Sequence, residues 1–134
     1  MTEEKIRYLP FEILVRINRE VVSLTKERHH SSEDDERSIR QLLVEVEETA
    51  NDVGRSESII QKASLLIFRI ARGQYFYEGN KRTALVALQS FLAGNGFTME
   101  IRDKDLTKII DEVGIGHGSL SKVSQVVRRL IRIV

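Results

Sequence analysis

The chain has 134 residues, 41% of them hydrophobic and 31% charged, and 21 Lys+Arg against 20 Asp+Glu leave a formal charge of +1. These proportions allow one buried core, exclude a chain disordered by composition, and argue against a polybasic, sequence-independent nucleic-acid binder. Cysteine is absent, which excludes disulfides, thiolate catalysis and Cys-based zinc sites. The opening MTEEKIRYLP has no apolar signal core, and the longest apolar runs, SLLIF and ALVAL, are far below the roughly 20 residues that span a bilayer. A soluble, cytoplasmic, single domain over 1–134 is expected, with no membrane partner.

Helical periodicity dominates. From Pro10 to about Arg28, Phe11, Leu14, Val15, Ile17, Val21, Val22 and Leu24 largely follow helical spacing, with Pro10 suited to a first-turn position. The polar stretch HHSSEDDER at 29–37 reads as a loop or a solvated helix start. Ile39, Leu42, Leu43, Val46 and Ala50 form the next stripe, opposite Glu45, Glu47 and Glu48. Residues 51–54, Asn-Asp-Val-Gly, end that helix, and Ser56 or Ser58 is placed to cap the following one. Its stripe of Ile59, Ile60, Ala63, Leu66, Ile67 and Ile70 is the most regular in the chain.

Thr83 to Ala93 is apolar on most sides and belongs in the middle of a bundle, stopped by Gly94-Asn95-Gly96. Residues 97–102 alternate in character and suit a short extended piece. Asp103 or Asp105 caps a helix to Val113, and Gly114 to Gly118 is a break. Ser119 or Ser121 starts a last helix with Val123, Val126, Val127, Leu130 and Ile131 inward. The predicted fold class is all-α, with about six helices.

Chemistry concentrates in residues 74–82, Gln-Tyr-Phe-Tyr-Glu-Gly-Asn-Lys-Arg. A carboxylate, a glycine, an amide and two cations stand directly before a buried helix. Helix N-terminal N–H groups and the positive end of the macrodipole favour an anion there. Gly79 permits close backbone approach, and Lys81 and Arg82 add a point charge and a planar fork. Glu78 suits a magnesium ion bridging the same phosphates. The plainer alternative is a glycine turn with solvated charges.

The stretch resembles the signature of the Fic/Doc (Fido) superfamily, His-x-Phe-x-(Asp/Glu)-(Gly/Ala)-Asn-(Gly/Lys)-Arg, matched by Phe76, Glu78, Gly79, Asn80, Lys81 and Arg82. Thr83-Ala84-Leu85, Phe91-Leu92, Asn95-Gly96 and Tyr8-Leu9 resemble the death-on-curing (Doc) branch. The resemblance implies a compact helical Fido bundle in which Phe76 anchors the loop and Glu78 coordinates Mg²⁺. Gly79, Asn80 and Lys81 form the anion-holding turn, and Arg82 contacts ATP phosphates. Family members with Gly before the final Arg typically transfer AMP. Doc proteins, with Lys there as Lys81 is here, act as kinases on a translation elongation factor and rely on a separate antitoxin peptide. The implied partners are thus an antitoxin peptide and a translation-factor or other protein substrate.

The departure is Gln74, which stands where the family has its histidine base. A glutamine amide can position a hydroxyl but has no basic site near neutral pH, so transfer is expected to be weakened or lost. A non-catalytic nucleotide- or protein-binding module is the alternative. The family's inhibitory-helix pattern, (Ser/Thr)-x-x-x-Glu-(Gly/Asn), is not completed. Ser23…Glu27 and Ser32…Glu36 are followed by Arg28 and Arg37. His117, in a Gly-His-Gly break, and His29-His30 read as solvated loop residues; Tyr75 and Tyr77 read as packed cover over the loop at the surface, with lining of a substrate groove the alternative. Arg128, Arg129 and Arg132 form a basic face, with nucleic acid the least favoured partner.

Overall fold

The computed structural model describes residues 4–24, 35–73 and 75–134. Six helices are present among them, with one two-residue strand pair, so the fold is all-α as its periodicity predicts. Helix α1 (Phe11–Leu24) starts on the Pro10 carbonyl, which accepts from Ile13 and Leu14 N–H at 3.1 Å. Pro10 therefore precedes the first turn. The continuation toward Arg28 and most of the 29–37 stretch lie outside the described residues. Asp35 caps α2 (Glu36–Glu48), accepting from Ser38 N–H at 3.0 Å, and Ile39, Leu42 and Val46 face inward.

Helix α3 (Arg55–Arg72) is central, touching α2, α4, α5 and α6. Its predicted stripe is buried in full. Neither Ser56 nor Ser58 caps it; the N-cap is Gly54, and Ser58 is buried. Helix α4 (Asn80–Gly94) packs against α1 and α3, burying Ala84, Ala87, Leu88, Phe91 and Leu92. Helices α5 (Lys104–Gly114) and α6 (Leu120–Leu130) are capped by Asp103 and Ser119. Only Phe97–Thr98 of the extended piece is a strand, β1, paired antiparallel with β2 (Arg132–Ile133). That pairing ends α6 at Leu130 and takes Ile131 out of the helix.

One hydrophobic cluster joins these elements. The Tyr8 and Phe91 rings meet at 6.3 Å, and the Asn95 amide holds the Arg7 backbone from both sides, at 2.8 and 2.9 Å. No helix among the described residues is long and apolar enough to cross a membrane.

A charged side chain closes α2. Lys62 is fully buried, and its ammonium donates to the Val46 and Glu47 carbonyls at 3.1 and 3.0 Å, to the Thr49 carbonyl, and to Asn51 Oδ1 at 2.9 Å. A helix C-terminus leaves its last carbonyls short of donors; here the Val46 carbonyl also accepts from Thr49 N–H at 3.3 Å and the Glu47 carbonyl from the Asn51 amide at 3.0 Å. Burial lowers the Lys62 pKa from the ordinary lysine value, and the nearby Glu47 carboxylate opposes that shift. The helix stops at Glu48, and Ala50 takes a left-handed φ of 57° in the turn behind it. Lys62→Met keeps the apolar stem and removes every one of the ammonium's bonds. Denaturant unfolding should show a loss of roughly 1.5–3 kcal/mol, the worth of hydrogen bonds to a charged group; an unchanged midpoint would show that the ammonium caps nothing of consequence.

Candidate functional site

The site is a loop slung between the end of α3 and the start of α4. At the α3 end, Gly73 N–H bonds the Arg69 carbonyl at 2.8 Å. The Tyr75 ring lies across Gly73, where a Cβ would collide with it, so no other residue fits without a shift. Arg69 Nε donates to the Tyr75 hydroxyl at 3.2 Å while its other nitrogen pairs with Glu45 at 2.6 Å. Asp35 N–H donates to the Tyr75 carbonyl at 3.1 Å. Tyr75 is thus buried and takes the packing role expected of it, because glycine leaves the space its ring occupies, while Tyr77 stays at the surface, 52% exposed. Gln74 lies outside the described residues, but both of its neighbours are fixed.

The middle of the loop is stapled. Phe76 is 1% exposed in the core, the position its family resemblance implies. The Asn80 side chain grips the Phe76 backbone twice, accepting from its N–H at 3.2 Å and donating to its carbonyl at 3.0 Å. Asn80 is therefore a loop-shaping residue. Gly79 has φ 76°, and a Cβ there would sit 3.1 Å from Val22 and 3.5 Å from Asn18, so both backbone and space favour glycine. Fully buried Asn18 of α1 donates to the Glu78 carbonyl at 2.9 Å and to the Thr83 hydroxyl at 3.1 Å. It is the brace on which the turn rests, and the sequence reading passed over it. Its signal is an amide on the apolar face between Leu14 and Val21.

The charges follow from this frame. Helix α4 begins with no side-chain cap and no acidic residue in its first turn, but with Lys81 and Arg82. By contrast, α1, α2, α3 and α5 each carry an acid there, and α6, which has none, is capped by the Ser119 hydroxyl. Cations at a helix N-terminus oppose the macrodipole, and an anion relieves that opposition. Arg82 is exposed and forms no ion pair among the described residues. Lys81 instead reaches α5, with its ammonium 3.4 Å from Asp111.

Glu78 is half-buried with Oε1 enclosed. Among the described residues no cluster of three His, Asp or Glu side chains gathers. This donor set fits magnesium in the mode where one carboxylate holds the ion and phosphate oxygens and water complete the shell. The loop thus brings together Phe76, Glu78, Gly79, Asn80 and Arg82, and turns Lys81 toward α5.

A cleft of about 530 Å³ opens beside the loop, lined by Asp35, Arg37, Gln41, Arg69, Gly73 and Tyr75. His117 is exposed in the turn after α5, which Arg72 holds through the Gly116 carbonyl at 2.7 Å. The C-terminal arginines are engaged: Arg128 with Glu57, Arg129 with Asp105 at 2.8 Å, and Arg132 with the Arg129 carbonyl at 2.9 Å.

Fold and loop together define a helical-bundle protein with a glycine turn opening onto a cationic helix N-terminus. The model of the Fic/DOC family matches residues 8–92, from Tyr8 through the loop to the end of the Phe91-Leu92 pair. The chain belongs to that family. Compared with curated protein sequences it has no match.

Proposed function

We propose that the chain is a Doc-like member of the family whose 74–82 loop binds the phosphates of ATP. The ancestral activity in this proposal is magnesium-dependent transfer of the terminal phosphate to a protein hydroxyl, as the toxin of a toxin–antitoxin module. The observation that carries it is the Gly79 turn, which presents the uncapped, cation-flanked start of α4 next to the Glu78 carboxylate. Arg82, with the first-turn N–H groups, neutralises phosphate charge. Glu78 is the residue that would hold Mg²⁺, which supplies further charge neutralisation when bound. The acceptor hydroxyl approaches from the cleft lined by Gly73 and Tyr75, the two neighbours of residue 74.

In the transfer step the hydroxyl oxygen bonds to the γ-phosphorus as the bond to the β–γ bridging oxygen breaks with ADP leaving, and the hydroxyl proton passes to solvent water where no side-chain base takes it. Phosphoryl transfer depends mainly on positioning and charge stabilisation, which this loop supplies. Gln74 cannot take the proton, and this favours a second reading, a non-catalytic module that binds nucleotide or a protein partner on the same fold. Incubation with Mg²⁺, lysate and ATP labelled at the γ or the α phosphate separates them. Label from γ alone supports the kinase reading, label from α supports nucleotidyl transfer, and ATP binding without transfer supports the module.

Arg82→Ala should weaken Mg·ATP binding by about 1.5–3 kcal/mol, the range for charge-assisted hydrogen bonds. Titration calorimetry that detects no nucleotide binding by wild type at millimolar ATP with Mg²⁺ sinks the phosphate reading.

A further inference from the structure

Helix α5 touches both ends of the loop. The turn that follows it accepts from Arg72, just before the loop, at the Gly116 carbonyl (2.7 Å). Just after the loop, Asp111 holds the Lys81 ammonium at 3.4 Å. Gly114 makes room for this second contact, since a Cβ there would lie 2.6 Å from Lys81 Cε. The Lys81 stem therefore lies on the carbonyl end of α5, whose partial negative charge adds to the hold of Asp111. Both partners are substantially exposed, at 47% and 70% of their side chains. An ion pair of that kind is weak and exchangeable.

We infer that Asp111 is an affinity-setting residue of the phosphate site, competing with the bound anion for Lys81. The inference rests on the phosphate reading proposed above. Without a bound anion, Lys81 is latched to α5, which leaves Arg82 as the first-turn cation without an ion pair among the described residues. A polyphosphate, with more charge and more acceptor oxygens than one carboxylate, draws the ammonium off Asp111. The latch thus subtracts from affinity what breaking the Lys81–Asp111 pair costs, and α5 sets how much anion charge is needed to engage both cations.

The test is Mg·ATP affinity by calorimetry for the full chain, comparing wild type, Asp111→Asn, Lys81→Met and the double variant at low salt. Asp111→Asn should tighten binding by about 2- to 5-fold, the range expected of an exposed pair. In the Lys81→Met background that gain should vanish, since the cycle isolates the pair, and it should shrink near 0.5 M salt. If wild type binds ATP and Asp111→Asn changes nothing or weakens it, the inference fails and the phosphate reading stands. An undiminished gain in Lys81→Met also overturns it, because Asp111 then acts as a bulk charge. No ATP binding by any variant overturns the phosphate reading and this inference with it.

Discussion

Replacing Phe76 with alanine should lower the unfolding free energy by about 3–5 kcal/mol, the cost of truncating a large buried aromatic. Its ring is 1% exposed in the central cluster, and its backbone N–H and carbonyl are both gripped by Asn80. The substitution therefore empties the core beneath the loop and loosens the seat of the anion turn together. Tyr77→Ala, at the exposed ring of the next residue, should shift the denaturant midpoint little. Equal and small shifts for the two variants would remove Phe76 as the anchor. Tyr75→Ala belongs with Phe76, because its ring is buried over Gly73 and its hydroxyl is held by Arg69.

Gln74→His should raise phosphate transfer by roughly 10²-fold or more, the usual worth of a positioned general base. The backbone on either side of residue 74 is held by the Gly73–Arg69 bond and by the Tyr75 contacts to Arg69 and Asp35. ATP affinity should hardly change, because the groups proposed to face phosphate lie beyond Phe76. Gln74→His protein that binds ATP yet stays as inert as wild type would place the defect in the acceptor side, not in the missing base. A fast wild type would show that glutamine positioning suffices or that another group, with His117 the first to test by His117→Ala, accepts the proton.

Much of the fold is written locally. The α3 stripe from Ile59 to Ile70 repeats at helical spacing and is buried in full. Asp103 and Ser119 cap where short polar side chains precede apolar periodicity. What sequence did not disclose depends on distant partners. Lys62 sits among the α3 core residues as an apparent interruption, and only the α2 C-terminus, 11 to 16 residues earlier, explains it. Asn18 makes sense only beside the Glu78 carbonyl, 60 residues away. Strand β2 exists because β1 lies next to it, and two residues carry no periodicity of their own. Within the loop, the motif marks Phe76, Glu78, Gly79 and Arg82, whereas the Lys81–Asp111 pair and the burial of Tyr75 depend on side-chain directions that spacing does not encode.

Helix α4 starts at the Gly79 turn and ends where both Arg7 and Val134 are fastened, through Asn95 and the Gly96 carbonyl. Fifteen helical residues at 1.5 Å each set about 22 Å between those places. A fluorophore or spin label on exposed Ile133, whose strand pairs with β1 just beyond the far end of α4, therefore stands well away from the proposed nucleotide site. Paired with a labelled ATP analogue, it makes a molecular ruler whose reading registers occupancy of the turn while the label itself touches nothing that binds.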